Sequence, residues 1–596
     1  MKFSPHDVEH EERADGSILL RSRLPIGPIA RNTGEWLHRW AEATPDNVYL
    51  AERAGAGWRT LRYGELLQQV RAVAASLLGR GLGPDRPIVI LSGNGIEHLV
   101  LTLAGQYIGV PTVALAEQYS LVPDAASRLI HAVETVQPGL VFAADAGPYG
   151  RAMSLDCLSG AEKLAVQTAG TGATPWSDLL RGDATGLDAA HAEVGPDTVA
   201  KIIFTSGSTA NPKGVVTTQR MLCVNQAQIL AAMPFLADRP HRIVDWLPWN
   251  HVFGGSHDVN MMLANGGTLY IDDGKPTRAG LAATIRNIKE VGVTLAFNVP
   301  LGFSQLTAAM RDDPALRRAY LGDCDLIFYA AASVPPDIWQ ALGRFAQEVR
   351  GEVPPMYSGW GMSETAPSCF QTHEPGLPPG NIGVPLPLVT AKLVPDADGR
   401  CDLRVAGPNV LPRYHNDPAK TADAFDEEGF FITGDAVTFV DRRRPAAGLM
   451  FDGRIAEDFK LLSGTWVRAT TVRLDALQHF ADIALDVVVT GHDREEIGLL
   501  IFPHPAPHEH HEGAVTAPAL RDAVAERLRR AAERATSSST RVARALILAA
   551  PPSVIDGELT AKGSMNARRV LTLRRAMLDR LYQNDDPAVI RLERTP

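Results

Sequence analysis

Of the 596 residues only five are cysteine, at 157, 223, 324, 369 and 401, and no two share a Cys-x-x-Cys spacing. A scattered, odd-numbered set argues against a disulfide framework or a zinc ribbon and fits a reducing, cytoplasmic compartment. Excess positive charge is missing as well: the formal net charge is −10. That excludes a general nucleic-acid or anionic-membrane binder, and Arg442-Arg443-Arg444 reads as a solvated turn. The longest apolar stretch, Leu99 to Ala116, is broken by Gly105, Gln106 and Pro111. It parses as a helix end, a turn and a strand rather than a membrane span. The beginning, Met1-Lys-Phe-Ser-Pro-His-Asp7, lacks the basic start and apolar core of a secretory signal. A metalloprotease signature fails on counting, because in His508-Glu-His-His-Glu512 a glutamate stands where the second histidine belongs. With Pro503, Pro505, Pro507 and Gly513 around it, that cluster is expected to be an exposed loop.

What is present is ordinary soluble composition, 45% hydrophobic and 21% charged, in a chain too long for one core. From about residue 45, β-rich runs alternate with helical patterns: 86–91, then 96–107, then 110–115, and again at 139–143, 268–271, 293–297 and 325–329. This grammar predicts an α/β protein of helix-flanked sheets with ligands at the strand ends. After Phe451-Asp-Gly-Arg454 the pattern shifts to shorter α+β elements, with strands at 486–490 and 498–502 and a charged amphipathic helix over 520–535. We therefore expect a large N-terminal domain over 1–453 and a smaller, mobile C-terminal domain over 454–596. No internal repeat is visible.

The densest chemistry lies in Thr205-Ser-Gly-Ser-Thr-Ala-Asn-Pro-Lys213-Gly214, between the apolar run 199–204 and Val215-Val216. Glycines let the backbone approach an anion, hydroxyls and main-chain N–H groups donate to phosphate oxygens, and lysine adds a point charge. The loop should therefore bind a nucleotide polyphosphate. It is not the Gly-x-x-x-x-Gly-Lys-Ser/Thr loop of the common NTPases, since counting from Gly207 puts Pro212 at the second glycine and Gly214 at the hydroxyl.

These ten residues resemble the signature loop of the adenylate-forming superfamily, which includes acyl-CoA synthetases, luciferases and peptide-synthetase adenylation domains. The resemblance assigns Thr205, Ser206, Gly207, Ser208, Thr209, Lys213 and Gly214 to the nucleotide. Trp360-Gly361-Met-Ser363-Glu364-Thr365 resembles the family's aromatic-Gly-Met-Thr-Glu-Thr element, with serine for threonine. By that likeness Ser363 contacts phosphate and Glu364 serves catalysis by holding Mg²⁺, which favours hard oxygen ligands. Phe431-Ile-Thr-Gly434-Asp435 resembles Tyr-Arg-Thr-Gly-Asp, whose aspartate accepts both ribose hydroxyls, here with Ile432 replacing the arginine. Gly453-Arg454 matches the Gly-Arg whose arginine also reaches the ribose. Gly383-Val-Pro-Leu-Pro387 and Gly407-Pro-Asn-Val-Leu-Pro-Arg-Tyr414 fit the turns between these elements, so the colinearity covers nearly the whole chain.

Trp246-Leu-Pro-Trp249-Asn-His251-Val-Phe253-Gly-Gly255 resembles the aromatic-rich border of the acyl pocket, with His251 as the gating catalytic histidine. With 269–276 and 453–466 it is most similar to feruloyl-CoA synthases, which activate hydroxycinnamates. Trp249, His251, Phe253, Trp360 and Gly361 are thereby assigned to the acyl pocket. The resemblance implies ATP, Mg²⁺ and coenzyme A as cosubstrates and cofactor, and a hydroxycinnamate-like acid as the partner. It gives no reason for nucleic acid or membrane, and a homodimer is left open.

In the family a lysine of Pro-x-Thr-x-x-Gly-Lys bridges carboxylate and phosphate. Here Thr560-Ala-Lys562-Gly563-Ser564 places Lys562 two residues early and with the order reversed, and Lys562 is the catalytic candidate. The hinge position, two after Arg454, is Ala456 instead of aspartate or lysine, so hinge duty is assigned to the region including Glu457, Asp458 and Lys460. Gly464 is assigned to the CoA step. Two other readings remain: adenylation of another acid (aryl or medium-chain) or with a non-CoA acceptor, although no Gly-x-Asp-Ser-Leu carrier site is fused, and a catalytically weak acyl-adenylate or nucleotide sensor.

Overall fold

The computed structural model describes residues 3–205, 212–275, 280–330, 334–480, 482–504, 508–535, 537–553, 556–559 and 565–592. Two compact units result. One comprises 1–394, 404–433 and 439–450, the other 395–403, 434–438 and 451–596. The sequence reading cut the chain once, at 453; the smaller unit also includes 395–403 and 434–438, which hold parts of three earlier strands.

In the large unit a seven-stranded sheet carries the phosphate-loop segment. Its strand order is Lys213–Thr218, Val199–Thr205, Thr112–Ala114, Ile88–Ile90, Leu140–Asp145, Glu162–Gln167 and Thr174–Pro175. Every neighbouring pair is parallel except the first, which is an antiparallel hairpin. Covered on both faces, such strands read as unbroken apolar runs, and Leu140, Val141 and Phe142 are fully buried. One face packs on Leu129, Ala132, Val133 and Val136, the i, i+3, i+4, i+7 stripe of the helix Ala126–Val136. The helix Ile96–Tyr107 is buried at every position but Glu97, which explains its nearly continuous apolar sequence.

An eleven-stranded sheet runs from the N-terminal hairpin Val8–Glu12/Ile18–Ser22 through the strands between 381 and 454 to the parallel set Met356–Gly361, Leu326–Tyr329 and Leu295–Asn298. A third, four-stranded sheet pairs Arg242–Asp245 with Thr268–Ile271 in parallel register and continues to Val48–Ala54 and Gly57–Arg62.

The smaller unit is a four-stranded sheet in the order Ala484–Thr490, Ile497–Pro503, Val542–Ile547 and Ile590–Arg591. Strand alternation divides its side chains between two cores. Val487, Leu499, Ile501, Ala545 and Ile547 meet Val472, Ala476, Val524 and Leu528 from the helices Ala469–His479 and Pro518–Arg534. Val488, Leu500, Phe502 and Leu546 meet Val570 and Leu581 on the other side. The exposed pair His510–His511 forms a short antiparallel hairpin with the buried pair Ala514–Val515. Among the described residues no group of three or more His, Cys, Asp or Glu is placed to hold a metal ion, and no helix is long and apolar enough to cross a membrane.

Gly383 shows how closely the strands approach. Its φ is +82° and an added Cβ would lie 1.9 Å from the Gln371 carbonyl oxygen. Gly383→Ala is expected to destabilise the large unit by about 1–3 kcal/mol. An unchanged thermal midpoint would show that this close approach does not constrain the sheet.

Candidate functional site

The hairpin Val199–Thr205/Lys213–Thr218 sets Thr205 opposite Lys213 and Phe204 opposite Gly214. The apex residues assigned to the nucleotide, Ser206, Gly207, Ser208 and Thr209, lie outside the described residues, but both legs are fixed. Along the second leg runs the segment 413–415: the Val216 N–H donates to the Arg413 carbonyl at 3.4 Å, and the His415 N–H to the Gly214 carbonyl at 2.7 Å. Chain direction thus puts Tyr414 beside Lys213, whose ammonium is 4.9 Å from the tyrosine ring centroid.

Tyr414 then reaches Glu364. Its O–H donates to Glu364 Oε1 at 3.0 Å. Burial, followed by the neighbouring carboxylate, pushes this phenol far above its ordinary value, so it stays a donor through the neutral range. Glu364 is 6% exposed, and its carbonyl accepts the Leu411 N–H at 2.8 Å. Asn409 Nδ2 donates to the Thr365 carbonyl at 2.9 Å and the Ser368 carbonyl at 3.1 Å. The turn 407–415 therefore ties the phosphate-loop hairpin to Ser363–Thr365, a single helical turn after the strand Met356–Gly361. Ser363 is buried at its start. Gly361 is obligatory there, because a Cβ would stand 1.8 Å from the Pro367 carbonyl oxygen.

A single buried carboxylate is too little for an all-protein divalent site. It suits Mg²⁺, which keeps waters and phosphate oxygens in its shell. Glu364 is the residue that would hold the ion.

The acyl-pocket residues separate into groups. His251 is half-buried after strand Arg242–Asp245, and its Nδ1 accepts the Phe253 N–H at 3.3 Å. Phe253 packs its ring on His257, Phe297 and Phe328. Trp360 lies edge-on to Phe370 at 5.7 Å. Trp249 instead meets His98, at 5.2 Å and 80°. It lines a cavity of about 20 Å³ with Lys201, Thr102 and Thr112, room for a water molecule.

Lys201 was not singled out from sequence, although a lysine in an otherwise apolar buried strand was the available signal. Its ammonium donates to the Gly255 carbonyl and, at 3.4 Å, to Ser256 Oγ, pinning the segment 255–256 to the strand Val199–Thr205. Gly255 is needed at this junction, since a Cβ would fall 2.1 Å from the Trp249 carbonyl oxygen.

In the smaller unit, Asp435 and Arg454 lie within strands Phe431–Phe439 and Leu449–Arg454, not in loops after them. Arg454 Nε is 3.4 Å from Asp435 Oδ1, with the carboxylate buried and the guanidinium exposed. Gly453, at φ +89°, precedes it where a Cβ would crowd Thr470 Oγ1 at 2.5 Å. Gly464, at φ +81°, tops the exposed hairpin Phe459–Lys460/Trp466–Val467, with open space around its Cα. Ala456 and Glu457 fall in a short helical turn, while Asp458 pairs with Arg400. Lys562 lies outside the described residues.

Two outcomes follow from the buried contacts. Tyr414→Phe removes a donor from buried Glu364 and should cost about 1–3 kcal/mol in thermal unfolding; no loss would mean the contact does not hold the carboxylate. Burial lowers the Lys201 pKa from 10.5 to about 8. Between those values the unfolded chain binds the proton more tightly, so this lysine's cost is full below pH 8 and fades as pH rises to 10.5. The stability of Lys201→Met relative to wild type should therefore fall across that window, by about 1.4 kcal/mol per pH unit. A flat difference would contradict it.

Residues 37–415 match the AMP-binding enzyme family and residues 462–586 match the AMP-binding enzyme C-terminal domain. Feruloyl-CoA synthase of Amycolatopsis sp is 27% identical over 430 residues, covering 68% of this chain and 76% of that protein. 4-Coumarate–CoA ligase 2 of Oryza sativa subsp. japonica is 26% identical over 461 residues, covering 72% and 77%. The crystal structure of the anthranilate CoA ligase AuaEII with anthranoyl-AMP superimposes with a TM-score of 0.72 at 16% identity, covering 92% of this chain and 98% of that one. A phosphate-loop hairpin latched to a buried glutamate, two matching family domains and the shared α/β fold give one conclusion: the chain belongs to the AMP-binding enzyme family.

Proposed function

We propose that this protein is an ATP-dependent acid:CoA ligase that activates an aromatic, hydroxycinnamate-like carboxylic acid through an acyl-adenylate and passes the acyl group to coenzyme A. The observation that carries the reading is the linked set Lys213, Tyr414 and Glu364 at the loop end of the hairpin Val199–Thr205/Lys213–Thr218. The aromatic preference draws support from relatives whose names specify ferulate and 4-coumarate, and from the rings around Phe253.

A free carboxylate resists a thiol because its charge repels the nucleophile and oxide is a poor leaving group. Attack of a carboxylate oxygen on the α-phosphorus of ATP forms the acyl–AMP anhydride and breaks the bond to pyrophosphate. Attack of the CoA thiol on the acyl carbon then forms the thioester, expels AMP and releases the thiol proton. No side chain needs to become a nucleophile. Lys213 and the N–H groups of the hairpin offset charge gathering on the phosphoryl oxygens. Glu364, oriented by Tyr414, would hold Mg²⁺, which supplies charge neutralisation when bound. Asp435 is suited to accept both ribose hydroxyls, with Arg454 beside it. His251 would border the acid, and alignment of carboxylate with α-phosphorus supplies much of the remaining gain. Lys562 is assigned to bridge carboxylate and phosphate, and Gly464 to the thioester step after rotation about 456–460. The 1–453 and 454–596 division and a cytoplasmic location complete the proposal, with a homodimer left open.

Purified protein with ATP, Mg²⁺ and CoA, tested against ferulate, 4-coumarate, benzoate and octanoate, should form acyl-CoA and AMP in equal amounts with the hydroxycinnamates. Adenylate without thioester would point to another acceptor, octanoate turnover alone to another acid, and no turnover to a sensor. Lys213→Ala and Glu364→Gln should each lower kcat/KM by about 10²–10³. Lys562→Ala should abolish ATP–pyrophosphate exchange; undiminished exchange would remove that lysine from the mechanism.

A further inference from the structure

The two halves of the proposed reaction stand on different sheets. His251 follows the strand Arg242–Asp245 of the four-stranded sheet, whereas Thr205 and Lys213 belong to the hairpin at the edge of the seven-stranded one. Among the described residues no strand of the first sheet pairs with a strand of the second. Two side chains from the seven-stranded sheet and its connections nevertheless reach the turn that carries His251, and the reaction above uses neither.

The first is Asn94, in the link between the strand Ile88–Ile90 and the helix Ile96–Tyr107. Its Nδ2 donates to the Leu247 carbonyl at 2.9 Å, and its Oδ1 accepts the Trp249 N–H at 2.9 Å. Both ends of one amide are thus committed to backbone groups two residues apart, a pairing that needs a donor and an acceptor on the same side chain. The second is Lys201, buried within the strand Val199–Thr205, four positions before Thr205. Its ammonium holds the Gly255 carbonyl and lies 3.4 Å from Ser256 Oγ.

His251 stands between these two clamps. Its N–H donates to the Pro248 carbonyl at 3.0 Å, and its carbonyl accepts the Gly255 N–H at 2.8 Å. The ends of the turn close on one another, since a Cβ at Gly254 would lie 2.5 Å from the Leu247 carbonyl oxygen. With 247 and 249 held by Asn94 and 255 held by Lys201, the backbone of His251 has a fixed place relative to the strand Val199–Thr205. An apolar side chain would fill the Lys201 site without the cost of burying an ammonium. What the lysine adds is a bond directed at one carbonyl of the turn.

That placement bears on rate. In-line attack needs the carboxylate oxygen and the α-phosphorus at one separation, and a misplacement of about 1 Å can cost about 10²-fold. We propose that Lys201 and Asn94 are positioning residues that register the His251 turn against the strand Val199–Thr205, and so set the separation between the acid and the α-phosphorus of ATP. The inference rests on the adenylation reading and holds whichever acid is used.

The test compares two kinds of ligand on the full-length protein by isothermal titration calorimetry. AMP occupies the nucleotide half alone, whereas a sulfamoyl adenosine carrying a 4-coumaroyl or an octanoyl group spans both halves at a fixed covalent length. Wild type should bind one of the two acyl sulfamates at least a hundredfold more tightly than AMP. Asn94→Ala and Lys201→Met should each weaken that acyl sulfamate tenfold or more, hold the AMP Kd within about threefold, and lower kcat tenfold or more at a KM for ATP within about threefold. A merely structural role would change both affinities together or neither, leaving their ratio at the wild-type value, which would overturn the proposal. If Lys201→Met does not fold, Asn94→Ala decides alone, because Asn94 is half-buried in a link between elements. Wild type that binds neither acyl sulfamate more tightly than AMP rejects the adenylation reading and the proposal with it. Tight binding that both variants retain rejects the positioning role and keeps the reading.

Discussion

A carboxylate buried in a protein interior is costly unless something donates to it, and around Glu364 the large unit supplies that donor from a distant part of the chain. The Tyr414 hydroxyl comes from a turn whose neighbours bond the second leg of the phosphate-loop hairpin. The same turn is anchored by Asn409 to the carbonyls of Thr365 and Ser368. Three stretches about two hundred residues apart at their extremes are thereby held in one arrangement, with lysine above the tyrosine ring and glutamate at its hydroxyl. The fold places the negative and positive groups at fixed positions before any nucleotide arrives, which is the condition for electrostatic stabilisation without reorganisation.

The acyl side obeys the same rule of compensated burial in a different way. Lys201 is taken out of water but faces the Gly255 carbonyl and Ser256. Burial pushes the Asp245 and Asp258 carboxyls above their ordinary range, and Asp258 lies within hydrogen-bond distance of His257 Nδ1. Glycines at 255, 359 and 361 let backbone approach where any side chain would collide. The polar groups therefore lie on both sides of one tightly packed element, the segment 249–258, with the lysine joining it to the phosphate-loop strand and the histidine turned among phenyl rings.

Much of this was legible in the sequence. The β-rich runs read at 86–91, 139–143 and 325–329 form strands at Ile88–Ile90, Leu140–Asp145 and Leu326–Tyr329, and the helix read over 96–107 forms at Ile96–Tyr107. The assignments of the 205–214 loop, Glu364, Asp435 and Arg454 rest on particular residue types at short spacing. What escaped is long-range. Tyr414 was read only as part of a turn, since its bond to Glu364 spans fifty positions and leaves no local pattern. Lys201 and the Asp245–Asp258–His257 group were hidden because a charged residue in an apolar run looks the same whether it reaches solvent or is satisfied inside.

The central claim, attack of a carboxylate oxygen on the α-phosphorus, is most directly tested by isotope transfer. Acid labelled with ¹⁸O in its carboxylate, turned over with ATP and CoA and examined by mass spectrometry, should deliver one ¹⁸O to the phosphate of AMP in each turnover. Label appearing in pyrophosphate or inorganic phosphate, or absent from AMP while acyl-CoA forms, would contradict it.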